Sequence, residues 1–184
     1  MSILRKAIRQ SFIVPLLACS IFFVSTQTPV APEYQVKAVF LFNFTQFVEW
    51  PPSSFISAQA PFVIGVFREN PFGSYLQDVV SGEKVNGRPL VVYQYKNLEE
   101  IKTCHILFIN KAEINNLEDI LASIKGKNIL TVSDAGSFLK QGGMIRFITK
   151  DNKIHIQINP EAAKEDDLTI SSKLLRVAEI VLLK

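Results

Sequence analysis

Histidine and cysteine are scarce in this chain: His105 and His155, Cys19 and Cys104 are all that 184 residues carry. A structural zinc site draws about four such ligands together, and a disulfide framework needs cysteines in pairs. With Cys19 in a segment expected to be removed, Cys104 stands alone, so neither device is available; Cys104 reads as a small apolar filler at the start of a strand. Phosphate-cradling glycine motifs are missing as well. There is no GxxxxGK[ST] and no GxGxxG after a strand, and Gly142-Gly143 reads as a tight turn. A membrane span of about 20 apolar residues is lacking; the run at residues 12–24 is only 13 long. A surplus of one charge is lacking too. Lys and Arg number 20 against 17 Asp and Glu, and three of the cations, Arg5, Lys6 and Arg9, lie in an acid-free stretch of 26 residues. The remainder is balanced, which argues against sequence-independent nucleic-acid binding, so no nucleic-acid partner is expected.

What is present is core material. Hydrophobic residues make up 48% of the chain and Phe occurs 14 times. A chain of this length hides roughly 70% of its unfolded surface and supports one domain without staples. The N-terminus reads as an address. A basic start, the short apolar run and Ser25-Thr26 together match a secretory signal, with cleavage expected near Thr26. This leaves residues 1–26 as signal peptide and 27–184 as a single exported domain. Two alternatives stay open, an uncleaved membrane anchor and lipidation of Cys19 after Leu16-Leu17-Ala18; the apolar run continuing beyond Cys19 favours the plain signal.

Along the domain, residues 33–49 have helical spacing, with Val36, Val39, Phe40, Asn43, Phe44, Phe47 and Val48 on one face. Lys37, Gln46 and Glu49 should then face outward, and Pro51-Pro52 ends the helix. Residues 62–67, 90–95, 105–109 and 129–133 read as strands. Asn70 and Pro71 start a helix over 72–80. A helical turn is expected at 98–102, an amphipathic helix at 114–124 that Gly126 ends, and a short helix at 136–141. Residues 144–149 and 154–159, with Ile154, Ile156 and Ile158 alternating with polar residues, form an antiparallel hairpin about residues 150–153. Serine caps a last helix over 174–183. The expected fold is α/β: a three-layer sandwich, its sheet mostly parallel with an antiparallel hairpin at one edge, and helices on both faces.

Catalytic constellations fail on geometry. His105 opens its strand while Ser133 and Asp134 close theirs, which puts them about 15 Å apart if the strands run parallel, so no Ser-His-Asp relay forms. The carboxyl edge of the sheet is a more interesting place, because open α/β sheets bind ligands there. Arg68, Asn70, Ser133 and Asp134 are expected on that edge, where Arg68 and free N–H groups would suit a carboxylate or phosphate. The competing reading makes Asn70 and Asp134 ordinary helix caps. For protein contact, the candidates are Lys37, Glu49, Trp50, Lys173 and Arg176. Trp50, wedged before two prolines, is either a core plug or a partner contact, and Lys173 and Arg176 lie on the exposed side of the last helix.

The ordered set Tyr34-x-x-Lys37-Ala38, Asn43-Phe44, Phe47-Val48-Glu49-Trp50-Pro51, Gly65-Val66, Pro71-Phe72-Gly73, Cys104-His105-Ile106-Leu107-Phe108-Ile109, Leu130-Thr131-Val132-Ser133-Asp134, Gly142-Gly143-Met144-Ile145, Ile158-Asn159 and Ile170-Ser171-Ser172-Lys173-Leu174-Leu175 resembles the YfiR family over essentially the whole exported part. The resemblance implies a periplasmic regulator that binds the periplasmic region of an inner-membrane diguanylate cyclase and represses it, lowering cyclic di-GMP signalling. It implies a second partner, an outer-membrane YfiB-like lipoprotein, and it is compatible with a homodimer. No enzymatic activity and no cofactor are expected. The sequence departs from the family at Arg68-Glu69-Asn70, where Gly-Asp-Asp is frequent, and in the missing partner for Cys104. The alternative is a periplasmic small-molecule-binding module working with another membrane protein.

Overall fold

The computed structural model describes residues 32–183. The expected signal peptide and Cys19 lie outside them. Helix α1 (Pro32–Phe47) runs into strand β1 (Val48–Glu49). Then follow β2 (Phe62–Phe67), α2 (Tyr75–Val80), β3 (Lys84–Val85), β4 (Arg88–Tyr95), β5 (Ile106–Ile109), α3 (Leu117–Ile124) and β6 (Leu130–Ser133). The chain closes with β7 (Ile145–Lys150), β8 (Lys153–Ile158), α4 (Pro160–Glu165), β9 (Thr169–Ile170), α5 (Ser172–Leu175) and β10 (Glu179–Ile180).

The main sheet has the order β10-β8-β7-β6-β5-β2-β4-β3. Its centre, β7 through β4, is parallel; β8 is antiparallel to β7 and β3 to β4. Every residue of β2, β5 and β6 is buried, as a parallel sheet covered on both faces requires. One face packs under α1 and α2 through Ile64, Phe108, Val132 and Phe147. The other packs under α3 through Phe67, Leu107, Ile109 and Phe138. This is the expected three-layer α/β sandwich.

Turn chemistry sets the two hairpins. Asp151 and Asn152 both take positive φ, 51° and 55°, as a two-residue turn matched to strand twist demands. Asn86-Gly87, with φ of 50° and 80°, makes the same kind of turn between β3 and β4. That Asn-Gly pair is a strong hairpin signal, and β4 starts right after it at Arg88, two residues before the expected start at Leu90.

Three expectations need correction. The buried stripe of α1 is Lys37, Ala38, Leu41, Phe44 and Thr45, while Val36 and Val39 are 45% and 40% exposed. The aromatic bulk of Phe40 and Phe47 pulled the expected face round the helix, and Lys37, expected outside, is 1% exposed. The helix expected over 174–183 is one turn, α5, capped by Ser171. The chain then extends into β10, which pairs parallel to β8, with Val181 N–H donating to Ile158 O at 2.8 Å. The β7–β8 hairpin therefore lies one strand inside the sheet edge. Around Asn70, the side chain accepts from Phe72 N–H at 2.9 Å and donates to Gly73 O, closing a turn; regular helix starts only at Tyr75.

Candidate functional site

The parallel strands end in register: Tyr95, Phe67, Ile109 and Ser133 stand side by side. Connections leave β2 and β5 toward opposite faces, so the switch point where such sheets offer a site lies between those two strands, beside Phe67 and Ile109. Asp134, one residue past β6, stands one strand away, where the start of α1 meets the same edge. Its Oδ1 accepts from the Lys111 N–H at 2.9 Å, and its Oδ2 accepts from Tyr34 OH at 2.9 Å and Lys37 Nζ at 2.7 Å. Lys37 also pairs with Glu33, four residues back on α1, and lies 4.3 Å from the centre of the Tyr34 ring. The i, i+3 spacing of Tyr34 and Lys37 puts both on the side of α1 that meets the β6 end. Burial, then the Asp134 charge, pushes the Tyr34 hydroxyl well above its ordinary pKa, so it stays protonated and keeps its proton for Asp134.

The other residues expected at this edge are engaged elsewhere. Arg68, held at a left-handed φ of 56°, donates to Glu113 at 2.6 Å and packs its guanidinium on Phe67. Ser133 is fully buried; its Oγ donates to Ile109 O at 2.6 Å and accepts from Ala135 N–H. Asn70 is spent on its turn. The cleft that does form around Asp134, 580 Å³ and open to solvent, is lined instead by Glu33, Lys37, Lys111, Arg146 and Lys150 with the β7 residues between the last two. Lys111, Arg146 and Lys150 escaped the sequence reading because no motif marks them; only the turn position of Lys150 hinted at exposure.

At the opposite edge of the sheet, His105 is fully buried between two rings, Phe55 at 4.5 Å and Phe62 at 4.7 Å. Its Nδ1 accepts from the Val63 N–H at 3.0 Å, which leaves Nε2–H to donate to Ser54 O at 3.2 Å. That pattern fits the neutral ring, and burial pushes its pKa down to about 4. Ser133 pairs with Ile109, four residues beyond His105 and so roughly 13 Å away along the strands. The Ser-His-Asp arrangement is therefore not formed. Cys104 beside it is buried, its Sγ 3.1 Å from Ile106 O, and burial raises the thiol to about 12. Among the described residues there is no group of three or more His, Cys, Asp or Glu able to hold a metal.

Trp50 seals this end. It is half-buried, stacks edge-on to Phe62 at 4.8 Å and donates from Nε1 to His105 O at 3.2 Å. A 390 Å³ cleft opens beside it, lined by Gln46, Glu49, Trp50, Phe55 and Arg88 among others. The small β1–β9 ladder pairs Glu49 with Thr169, and Ser171 N–H donates to Phe47 O at 2.8 Å. It thereby ties the segment carrying Glu49 and Trp50 to α5, which carries Lys173 and precedes Arg176. Glu49, Lys173 and Arg176 are all exposed.

A family model described as YfiR/HmsC-like matches residues 34–179. The chain belongs to the YfiR/HmsC-like family. This family is regulatory rather than catalytic, and periplasmic. No curated protein matches the chain. Among solved structures, a conserved domain protein from Vibrio cholerae O1 biovar El Tor is similar at 12% identity and a TM-score of 0.48, over 80% of this chain. The match spans 59% of that protein's length.

Proposed function

We propose that this YfiR/HmsC-like chain is exported through its N-terminal signal and represses an inner-membrane diguanylate cyclase by binding the cyclase's periplasmic region. The observation that carries the reading is the family match over residues 34–179. The site geometry is in keeping with it. Both ring nitrogens of His105 are spent on internal bonds, and the ring is locked neutral inside an aromatic stack. Such a body acts by preferring one state of its partner and shifting that equilibrium.

The contact surface in this reading is the face that β1–β9 assembles: Glu49 and the exposed part of Trp50, with Lys173 and Arg176. Tryptophan and arginine are among the residue types most enriched at binding hot spots. Lys37 drops out, since its ammonium is enclosed by Glu33 and Asp134. A YfiB-like outer-membrane lipoprotein would compete for the cyclase-binding form, and a homodimer is compatible with the same scheme. Deleting the gene raises cellular cyclic di-GMP if the reading holds. A charge-reversed chain, Lys173→Glu with Arg176→Glu, should restore repression poorly while reaching normal abundance; full restoration would remove these two residues from the contact.

A second reading, a small-molecule-binding module, is favoured by one feature, the cationic cleft over Asp134.

A further inference from the structure

β6 stops at Ser133, opposite Arg146, but β7 continues to Lys150. Its last residues therefore have no strand neighbour on the β6 side, and the 580 Å³ cleft occupies that space. Four cations line it, Lys37, Lys111, Arg146 and Lys150, against two carboxylates, Glu33 and Asp134. Those carboxylates are already committed. Both pair with Lys37, and Asp134 also accepts from Tyr34 and the Lys111 backbone. Among the described residues no ion pair involves the side chains of Lys111, Arg146 or Lys150. The cleft thus holds two positive charges in excess.

Arg146 is the least satisfied group. It is partly buried, its only hydrogen-bond partner is the neutral Gln157 amide at 3.2 Å, and its Nε is buried with no partner. A guanidinium in this condition lacks the bidentate acceptor its planar fork fits. The volume suits one small molecule.

We propose that the cleft between the start of α1 and the free edge of β7 is a binding site for a compact dianion, a phosphate ester or a short dicarboxylate. Arg146 grips it by its fork, and Lys111 and Lys150 close on it from the rim. Lys37 and Asp134 are the floor, a neutralised pair that shapes the site without contributing net charge. This moves the expected anion site away from Arg68 and Asn70, which Glu113 and the Asn70 turn have claimed. The inference is independent of the cyclase reading: it is tested on the isolated protein, whereas that reading is tested in cells.

The test is titration of the purified exported chain with inorganic phosphate and with succinate at pH 7.5, followed by calorimetry and by amide NMR shifts of residues 146–150. Acetate and glycerol serve as monoanionic and neutral comparisons. Saturable binding of at least one dianion is expected below about 10 mM, with acetate at least tenfold weaker. Phosphate alone saturating assigns a phosphoryl ligand, and succinate alone a dicarboxylate. Arg146→Gln should weaken binding about tenfold, Arg146→Lys nearly as much, and Lys150→Gln about threefold. Lys102→Gln, exposed and away from the cleft, should bind as the native chain does. Saturation by neither dianion, or equal affinity in the native chain and the exposed-site variant Lys150→Gln together with the folded Arg146 variants, would overturn the proposal. Should Arg146→Gln fail to fold, Lys150→Glu decides: undiminished binding refutes the site.

Discussion

Lowering the pH tests the buried histidine directly. Folded, His105 takes up a proton only near pH 4, because burial opposes the charge and the Val63 N–H points at Nδ1. In the unfolded chain it does so near 6.5. Above pH 6.5 both states are neutral and the fold keeps its full stability. Between 6.5 and 4 the unfolded state alone gains the proton, so stability falls as pH falls; below 4 the loss levels off. The gap between the two pKa values corresponds to about 3 kcal/mol. His105→Gln keeps one donor and one acceptor but loses the stacks on Phe55 and Phe62, at about 0.5–1.5 kcal/mol each. The variant should be less stable than the native chain at pH 7.5, by about 1–3 kcal/mol, and the difference should shrink by about 3 kcal/mol on going to pH 4. Urea unfolding of both proteins at four pH values reads this, and the acid titration common to both cancels. A difference that stays constant from pH 7.5 to 4 would refute the assignment of His105 as a neutral ring held by its neighbours.

Lys37→Met should cost about 3–5 kcal/mol in urea unfolding, since it strips the cation from Asp134, whose side chain is 5% exposed; adding Asp134→Asn should return part of the loss, and strictly additive losses would contradict the pairing. Gly65→Ala places a methyl 2.6 Å from the Tyr95 ring and 2.8 Å from Cys104 Sγ, so unfolding should show a loss of about 1–3 kcal/mol, and an unchanged midpoint would contradict the packing there. Cys104, buried and with its thiol raised to about 12, should resist thiol reagents at pH 8 until the protein is unfolded; rapid labelling of the native protein would contradict it.

The parts of this fold that local chemistry dictates could be read from the sequence. The buried strands 62–67 and 105–109 announced themselves as short apolar runs, and the Ile154-Ile156-Ile158 alternation gave the hairpin its polar face. Where two local signals competed, the reading went astray. Residues 174–183 carry helical apolar spacing, but Ile180 and Val181 are β-branched and the free edge of β8 offers a ladder, so the chain extends after one capped turn. Helix α4 was missed although Asn159-Pro160 carries the same cap-and-proline start as Asn70-Pro71; Asn159 accepts from Ala162 N–H at 3.3 Å. The candidate site was legible only at Asp134. Its partners Tyr34 and Lys37 lie about a hundred residues away, and sheet order alone brings them together. A lysine in an aromatic helix reads as solvent-facing unless the carboxylate waiting for it is known, and the cations of the cleft are spread over loop and strand with no spacing to betray them.

The central claim, that this chain works by holding a membrane diguanylate cyclase, is tested most directly by photocrosslinking in living cells. A photoreactive residue placed at Glu49 or Lys173, on the face joined by β1 and β9, should trap the periplasmic region of an inner-membrane cyclase, identified by mass spectrometry, while the same probe at Lys102 should not. Efficient export with crosslinks from Glu49 and Lys173 that contain no cyclase would contradict the account.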